Sequence, residues 1–540
     1  MGRTDVPGYS LDKEGNFRID NYNLAKPFSN FFTGIAGTRG IPMWVFYVNR
    51  GQVIASFGTE SKDKAIMEFQ PANKAYRLTS LQGFRTFLKA RRGSKTVYWE
   101  PFQNYLPGTD FRKFQRMSIS PHDLTLTEIN LDMGLEIRVN YFTMPEEPYS
   151  ALVRRVTVIN KGKKSCSVEM VDGLPLIVPY GMKDWVLKNM SRTGEAWVHV
   201  GNVRQKAPYY NLTVEISDTP QVTHIHEGNF FFSFAPGGGK PCLLDPVVES
   251  ARVFGPAFDF SAPQQFIAGD FSKGSRQQTS NRMPSALSHS RFLLKAGGER
   301  EIVSLFGYVP DVGGLNQIVR QVMGKDGFIT QKASRNQEII DGIRSYALTR
   351  SSSKAFDLYA GHTFLDNILR GGLPVSVKTV QGLRAFNVYS RKHGDLERDY
   401  NYFVVSPTFY SQGNGNYRDV NQNRRNDAWF NADVGDSHVV SFFSLIQADG
   451  YNPLIVKGTV FHLVNTEKLG DLLDLYVLPQ SRAALKEFLH KSFAPGDLFR
   501  FIDSRKIKLA VEPGVFLDRV LELCQRQETA DHGEGFWTDH

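Results

Sequence analysis

From about Asn16 to Val309 apolar and polar residues alternate in short runs bounded by Gly, Pro, Asn and Asp, as in WVFYVNRG (44–51), GFRTFLKA (83–90), ALVRRVTVINKG (151–162) and REIVSLFGYV (300–309). Successive side chains of a strand point to opposite faces, so a period of two with frequent turn residues predicts antiparallel strands. So many strands predict a large two-sheet sandwich. The period changes at GGLNQIVRQVMGKDG (313–327), where Leu315, Ile318, Val319 and Val322 fall at helical spacing and Gly324 reads as a stop. Helical spacing continues in 332–349 and 356–372, and returns at KLGDLLDLYVL (468–478) and FLDRVLELCQRQ (516–527). The order is therefore β then α: a sandwich over residues 1–310, a helical linker over 311–355, and a helical domain from 356 to 540. Between Tyr389 and Pro453 lies a long polar stretch rich in Asn, Gly, Arg and aromatics, which reads as a functional loop region with little secondary structure from Tyr410 to Arg425.

A chain of 540 residues has room for two or more cores. Its net charge of +9 is spread among Asp and Glu without an arginine-rich arm, which sets nucleic-acid binding aside. Cys166, Cys242 and Cys524 are far apart and form no Cys-x-x-Cys pair, so neither a disulfide framework nor a zinc site is expected. Reduced thiols fit the cytoplasm. The start, MGRTDVPGYS, carries no apolar leader core, and no apolar run approaches the ~18 residues of a membrane span. The best candidate, Val439–Ile446, is interrupted by Ser441 and Ser444. The expectation is a soluble cytoplasmic protein with no membrane contact, no metal and no bound cofactor.

The chemistry concentrates in YSRKHGDLERDYNYF (389–403) and FYSQGNGNYRDVNQNRRND (409–427). Planar amides and guanidinium groups hold sugar hydroxyls by paired donors and acceptors, and Tyr faces supply stacking. Gln412, Asn414, Asn416, Arg418, Asp419, Asn421, Gln422 and Asn423 crowd one segment with Tyr410 and Tyr417, and Gly413 and Gly415 would let backbone approach a ligand. The same cluster also reads as a solvated turn. Arg418, Asp419, Arg424 and Arg425 among aromatics favour a polyhydroxy or anionic ligand. PGGGKP (236–241) has Pro241 where a phosphate loop needs Ser or Thr and reads as a surface turn; His224 and His226 alternate on a strand without a third ligand.

GIAGTRGIPMWVFYVNRGQVIASFGTESKDKAIMEFQPANKAY (34–76), the two polar blocks above and GEGFWTDH (533–540) together resemble, in order, the oligoglucan phosphorylases of the glycoside hydrolase family 94 type, related to cellobiose phosphorylase and acting on β-1,2- and β-1,3-glucans. The resemblance implies an N-terminal β-sandwich, a helical linker and the beginning of an (α/α)6 catalytic barrel. It implies inverting phosphorolysis, in which a β-gluco-oligosaccharide and inorganic phosphate, the co-substrate, give α-glucose 1-phosphate and a shortened chain. It further implies a homodimer with the sandwich beside the partner's active site. Arg418 and Asp419 match an Arg-Asp-x-x-Gln motif that binds the donor glucose, with Tyr417, Asn421, Gln422 and Asp539 as accompanying candidates. The family's general acid stands in a Trp-x-Asp block further along; Trp537-Thr538-Asp539 matches an earlier block, so the acid is expected beyond His540 and the catalytic residue is unassigned. The expectation follows that the chain by itself leaves the barrel open and is inactive, and that an active chain would draw its acid from Asp395, Asp427 or Asp539. The alternatives are a non-catalytic carbohydrate-binding remnant and a domain of a glucan synthase.

Overall fold

A computed structural model describes residues 6–104, 111–217, 219–237, 241–269, 271, 276–389 and 403–531. The N-terminal part is built on an eleven-stranded antiparallel sheet facing a five-stranded one, with a four-stranded sheet (29–67) that contributes to the same core. Alternation decides which side chains go inside. In the paired strands Leu135–Thr143 and Ser150–Asn160, Val139 lies opposite Val156. Both pack in one core with Leu88, Val168 and Met170 of the smaller sheet. The sandwich predicted from the period of two is therefore present. Short helices interrupt it at Ala72–Gln82 and Asp184–Gly194.

The core also contains charge. Arg154 of the large sheet and Asp172 of the small one are fully buried and paired, and Arg154 donates further to Gln52 Oε1 at 2.5 Å and Thr86 Oγ1 at 3.1 Å. These bonds satisfy a guanidinium that could not be buried alone.

The central strands are buried on both faces: all eight residues of Gly228–Ala235 are buried. Their outer face meets the helices Val312–Gly324 and Phe328–Arg344, where Leu315, Ile318, Val322, Phe328 and Ile329 cover Phe230, Phe232, Val303 and Leu305. The first of these helices starts where Asp311 Oδ1 accepts from Gly314 N at 2.8 Å, an N-cap, and it ends at Gly324 as predicted.

The strands through Val309 therefore bury this outer face only where the two helices are present. A fragment ending at Val309 exposes the Phe230 and Phe232 face and is expected to bind 8-anilinonaphthalene-1-sulfonate and aggregate, whereas one ending at Thr349 keeps that face covered and does so markedly less. Sedimentation velocity of the two, with dye fluorescence, makes the comparison; equal behaviour would assign the helices no part in the sandwich.

The remaining residues form a second core of helices Lys354–Gly371, Glu467–Tyr476, Pro479–Leu489, Pro495–Ser504 and Pro513–Leu521. Ser353 Oγ accepts from Phe356 N at 3.3 Å and opens the first of them. In 468–478 and 516–527 Leu469, Leu473, Phe516, Leu517, Val520 and Leu521 are all buried, while Leu475 and Leu478 stay exposed. Two β pieces were not anticipated: the hairpin Leu373–Thr379 with Gly382–Val388, and a three-stranded sheet of Gly415–Asn416, Ile455–Leu463 and Cys524–Asp531. Segment 403–410 binds back to the sandwich, Val405 N donating to Glu60 O at 2.8 Å and Tyr410 N to Thr38 O at 2.6 Å. No helix among the described residues is long and apolar enough to cross a membrane.

Candidate functional site

The Asn- and Gly-rich segment enters a helix at Tyr417–Arg424, where a loop was expected. Tyr417, Val420 and Arg424, spaced by three and four residues, face inward, while Arg418, Gln422 and Arg425 share the outer face. Tyr417 is fixed beneath the helix: its ring meets the Phe442 ring edge-on at 5.2 Å and its hydroxyl donates to Phe442 O at 2.9 Å. The helical period was hidden because only one aliphatic residue, Val420, lies on the buried face.

Several amides singled out as ligand-binding are used by the chain itself. Gln412 donates to Thr459 O at 2.6 Å and accepts from Thr459 N at 2.9 Å, imitating a strand partner. Asn414 Oδ1 accepts from Val404 N at 2.8 Å, and Asn423 Nδ2 donates to Asp419 O at 2.7 Å. Gly415 is required by packing, since a Cβ there would stand 2.2 Å from Val420 Cγ2.

Arg418 and Asp419 are different. They lie 3.6 Å apart with side chains 51% and 37% exposed, and Asn416 Nδ2 holds Asp419 Oδ2 at 3.1 Å. A carboxylate in the first turn is favoured by the positive end of the helix. The pair thus offers a charged donor and a charged acceptor to solvent from a helix whose opposite face is pinned. Gln422 is exposed beside them and Asn421 half-buried. Asp539, Asp395, most of the 389–403 block and the 533–540 block lie outside the described residues.

Beneath this helix is a buried ionic cluster that sequence reading missed. Arg424 Nε donates to Gly371 O at 2.7 Å, and its guanidinium lies 3.5 Å from Glu528 Oε1. Arg526 donates to the same carboxylate at 2.5 Å and to Ser441 Oγ at 2.8 Å. Asp427 Oδ2 and His438 Nε2 are hydrogen-bonded at 2.8 Å, the imidazole donating in its Nε2–H tautomer. Burial acts to raise the Glu528 carboxyl, but the Arg526 and Arg424 guanidiniums outweigh it and hold it below the usual range. Burial pushes Asp427 up and His438 down. Asp427, one of the three carboxyls considered for a general acid, is thus enclosed against His438. The signal for the cluster was Arg526 and Glu528 two residues apart on one face of a strand; reading 516–527 as one helix concealed it. The helix ends at Leu521, and from Cys524 burial alternates because the inward residues Arg526 and Glu528 are ion-paired.

The sequence matches no protein-family model and no curated protein. Among solved structures, a bacterial glucoamylase complexed with acarbose is similar at 10% identity and TM-score 0.37, over 92% of this chain and 61% of that one. A polysaccharide lyase is similar at 11% identity and TM-score 0.27, over 55% and 34%. A protein described as a kojibiose phosphorylase from the human microbiome is similar at 8% identity and TM-score 0.23, over 65% and 32%. The chain spans less than two thirds of the length of each.

Proposed function

We propose that this chain is the sandwich, linker and first helical part of an inverting β-oligoglucan phosphorylase. The observation that carries the reading is the Arg418–Asp419 pair, presented to solvent on an anchored helix within a block that resembles the donor-glucose motif of such enzymes. Asp419 would accept from one sugar hydroxyl while Arg418 donates to its neighbour, fixing the ring so that its anomeric carbon faces phosphate. One carboxylic acid protonates the glycosidic oxygen as phosphate attacks from the opposite face. Phosphate is anionic at neutral pH, so no second carboxylate is required as base. The electron pair of the broken C–O bond leaves with the acceptor sugar, and the product is α-glucose 1-phosphate. Cytoplasmic location and a homodimer go with this reading.

The test is to incubate the complete gene product with β-1,2- and β-1,3-linked gluco-oligosaccharides and inorganic phosphate, and follow phosphorus and anomeric-proton NMR. One α-glucose 1-phosphate per bond cleaved is expected. Release of free glucose at the same rate without phosphate would replace the reading with hydrolysis, and no cleavage at all would leave a binding protein.

A further inference from the structure

A cleft of about 770 Å³ separates the sandwich from the helical region, with Arg418 and Asp419 not among its walls. On the sandwich side a single carboxylate oxygen, Glu227 Oε1, accepts from two phenols, Tyr180 at 3.1 Å and Tyr308 at 3.0 Å, whose rings stack at 5.1 Å. Lys64 Nζ donates to the Tyr180 hydroxyl at 2.7 Å and lies 4.1 Å over its ring. These bonds hold the Glu227 carboxyl rigidly by one oxygen, and its Oε2 takes no hydrogen bond among the described residues. On the helical side Pro495–Ser504 contributes the largely buried Phe499 to the wall and, three residues apart, exposed Arg500 and Asp503. Phe499 is braced by Tyr410, stacked at 5.6 Å, and by Phe409, at 6.1 Å.

The lining chooses a ligand class. Its cations Arg39, Lys64 and Arg500 are matched in number by Glu60, Glu227 and Asp503, so the lining carries no surplus of positive charge to select an anion or a nucleotide. What remains is one carboxylate held in place, Glu227, and an exposed acceptor and donor, Asp503 and Arg500, beside aromatic rings. Such a set pairs with the hydroxyls of an uncharged polyol while the rings take the C–H face of a sugar. The volume lies within the ~300–1,000 Å³ usual for small-ligand sites. We propose that this cleft is a carbohydrate-binding site separate from the Arg418–Asp419 pair, and that it takes a stretch of neutral oligosaccharide. The choice of a β-glucan among neutral sugars rests on the phosphorylase reading; the site does not.

The experiment is calorimetric titration of the complete gene product with β-1,2- and β-1,3-linked gluco-oligosaccharides of two to six units, with a maltooligosaccharide and an anionic oligogalacturonide as further probes. Glu227→Gln keeps the acceptor for the two phenols, and the double variant Arg500→Ala/Asp503→Asn alters only exposed side chains. Each is expected to weaken neutral-sugar binding at least ~10-fold, as the loss of one hydrogen bond to a charged group does, with unchanged melting, while Arg418→Ala retains a cleft-bound sugar. Wild-type affinity in both cleft variants, loss of all binding in Arg418→Ala, no binding of any neutral probe, or tighter binding of the oligogalacturonide would each overturn the proposal. Should the protein form no glucose 1-phosphate yet lose sugar binding in the cleft variants, the phosphorylase reading falls and the site stands. Glucose 1-phosphate formation with normal binding in those variants gives the reverse.

Discussion

On the proposed phosphorylase reading, replacing Arg418 by alanine in the complete gene product is expected to lower phosphorolytic turnover by ~10²-fold or more while leaving the melting temperature almost unchanged. The two halves have separate causes. A guanidinium that donates to a sugar hydroxyl contributes ~1.5–3 kcal/mol, the Asp419 partner it orients adds to the loss, and every 1.36 kcal/mol is a factor of ten in rate. For stability, the only ion pair of Arg418 among the described residues is with its half-exposed neighbour Asp419 at 3.6 Å, and such surface pairs contribute about 0–1 kcal/mol. The helix is held from its other face by Tyr417 and Arg424, which the substitution does not touch. Arg418→Lys should recover only part of the rate, because an ammonium lacks the planar fork. Turnover near that of the unmodified enzyme in Arg418→Ala would remove the pair from the site.

The same helix shows why some of the molecule was legible in the sequence and some was not. The passage from strands to helices at Val309–Val312 could be read directly, because Leu315, Ile318 and Val322 are buried by a face that is apolar throughout. Tyr417–Arg424 carries the same three-and-four spacing on Tyr417, Val420 and Arg424, but two of those three are polar and hydrophobic periodicity does not register them. Cys524–Asp531 fails likewise. Its inward positions Arg526 and Glu528 are charged, and only their mutual pairing, which depends on tertiary contact, makes them interior residues. The amides of Gln412 and Asn414 show the converse error. Their composition pointed to a ligand, but backbone groups of Thr459 and Val404, distant in sequence or hidden in a polar block, had already taken them. Arg418 and Asp419 became candidates through a resemblance to a family motif, whereas the walls of the interdomain cleft come from segments hundreds of residues apart, Tyr180 and Arg500 among them, that no local pattern joins.

The cluster beneath the helix carries the largest expected effect on stability. Glu528→Gln leaves the Arg424 and Arg526 guanidiniums buried close together without their shared carboxylate, and breaking a buried pair in this way costs ~3–5 kcal/mol. The loss should be local to the helical region, visible as faster hydrogen–deuterium exchange over residues 417–444 while the sandwich strands keep their protection. Even faster exchange than in the unmodified protein that is spread evenly over both regions would contradict this, as would no change. The cluster also sets a pH dependence. Glu528 is held below its unfolded value of 4.5, so its contribution is complete above that value and is lost as pH falls through the folded pKa. His438 is held below 6.5, so the unfolded chain takes up its proton first and stability declines as pH falls from 6.5 toward the folded value. Asp427 is raised above 3.8 and acts with the opposite sign, favouring the folded state as pH falls through its window. The difference between the unmodified protein and His438→Gln isolates the histidine: Gln keeps an amide within reach of Asp427 and does not titrate. The exchange-derived stability of 417–444 should fall between pH 6.5 and 5 more steeply in the unmodified protein than in His438→Gln, and parallel profiles would show that His438 is not kept neutral by its burial among Arg424, Arg526, Asp427 and Glu528.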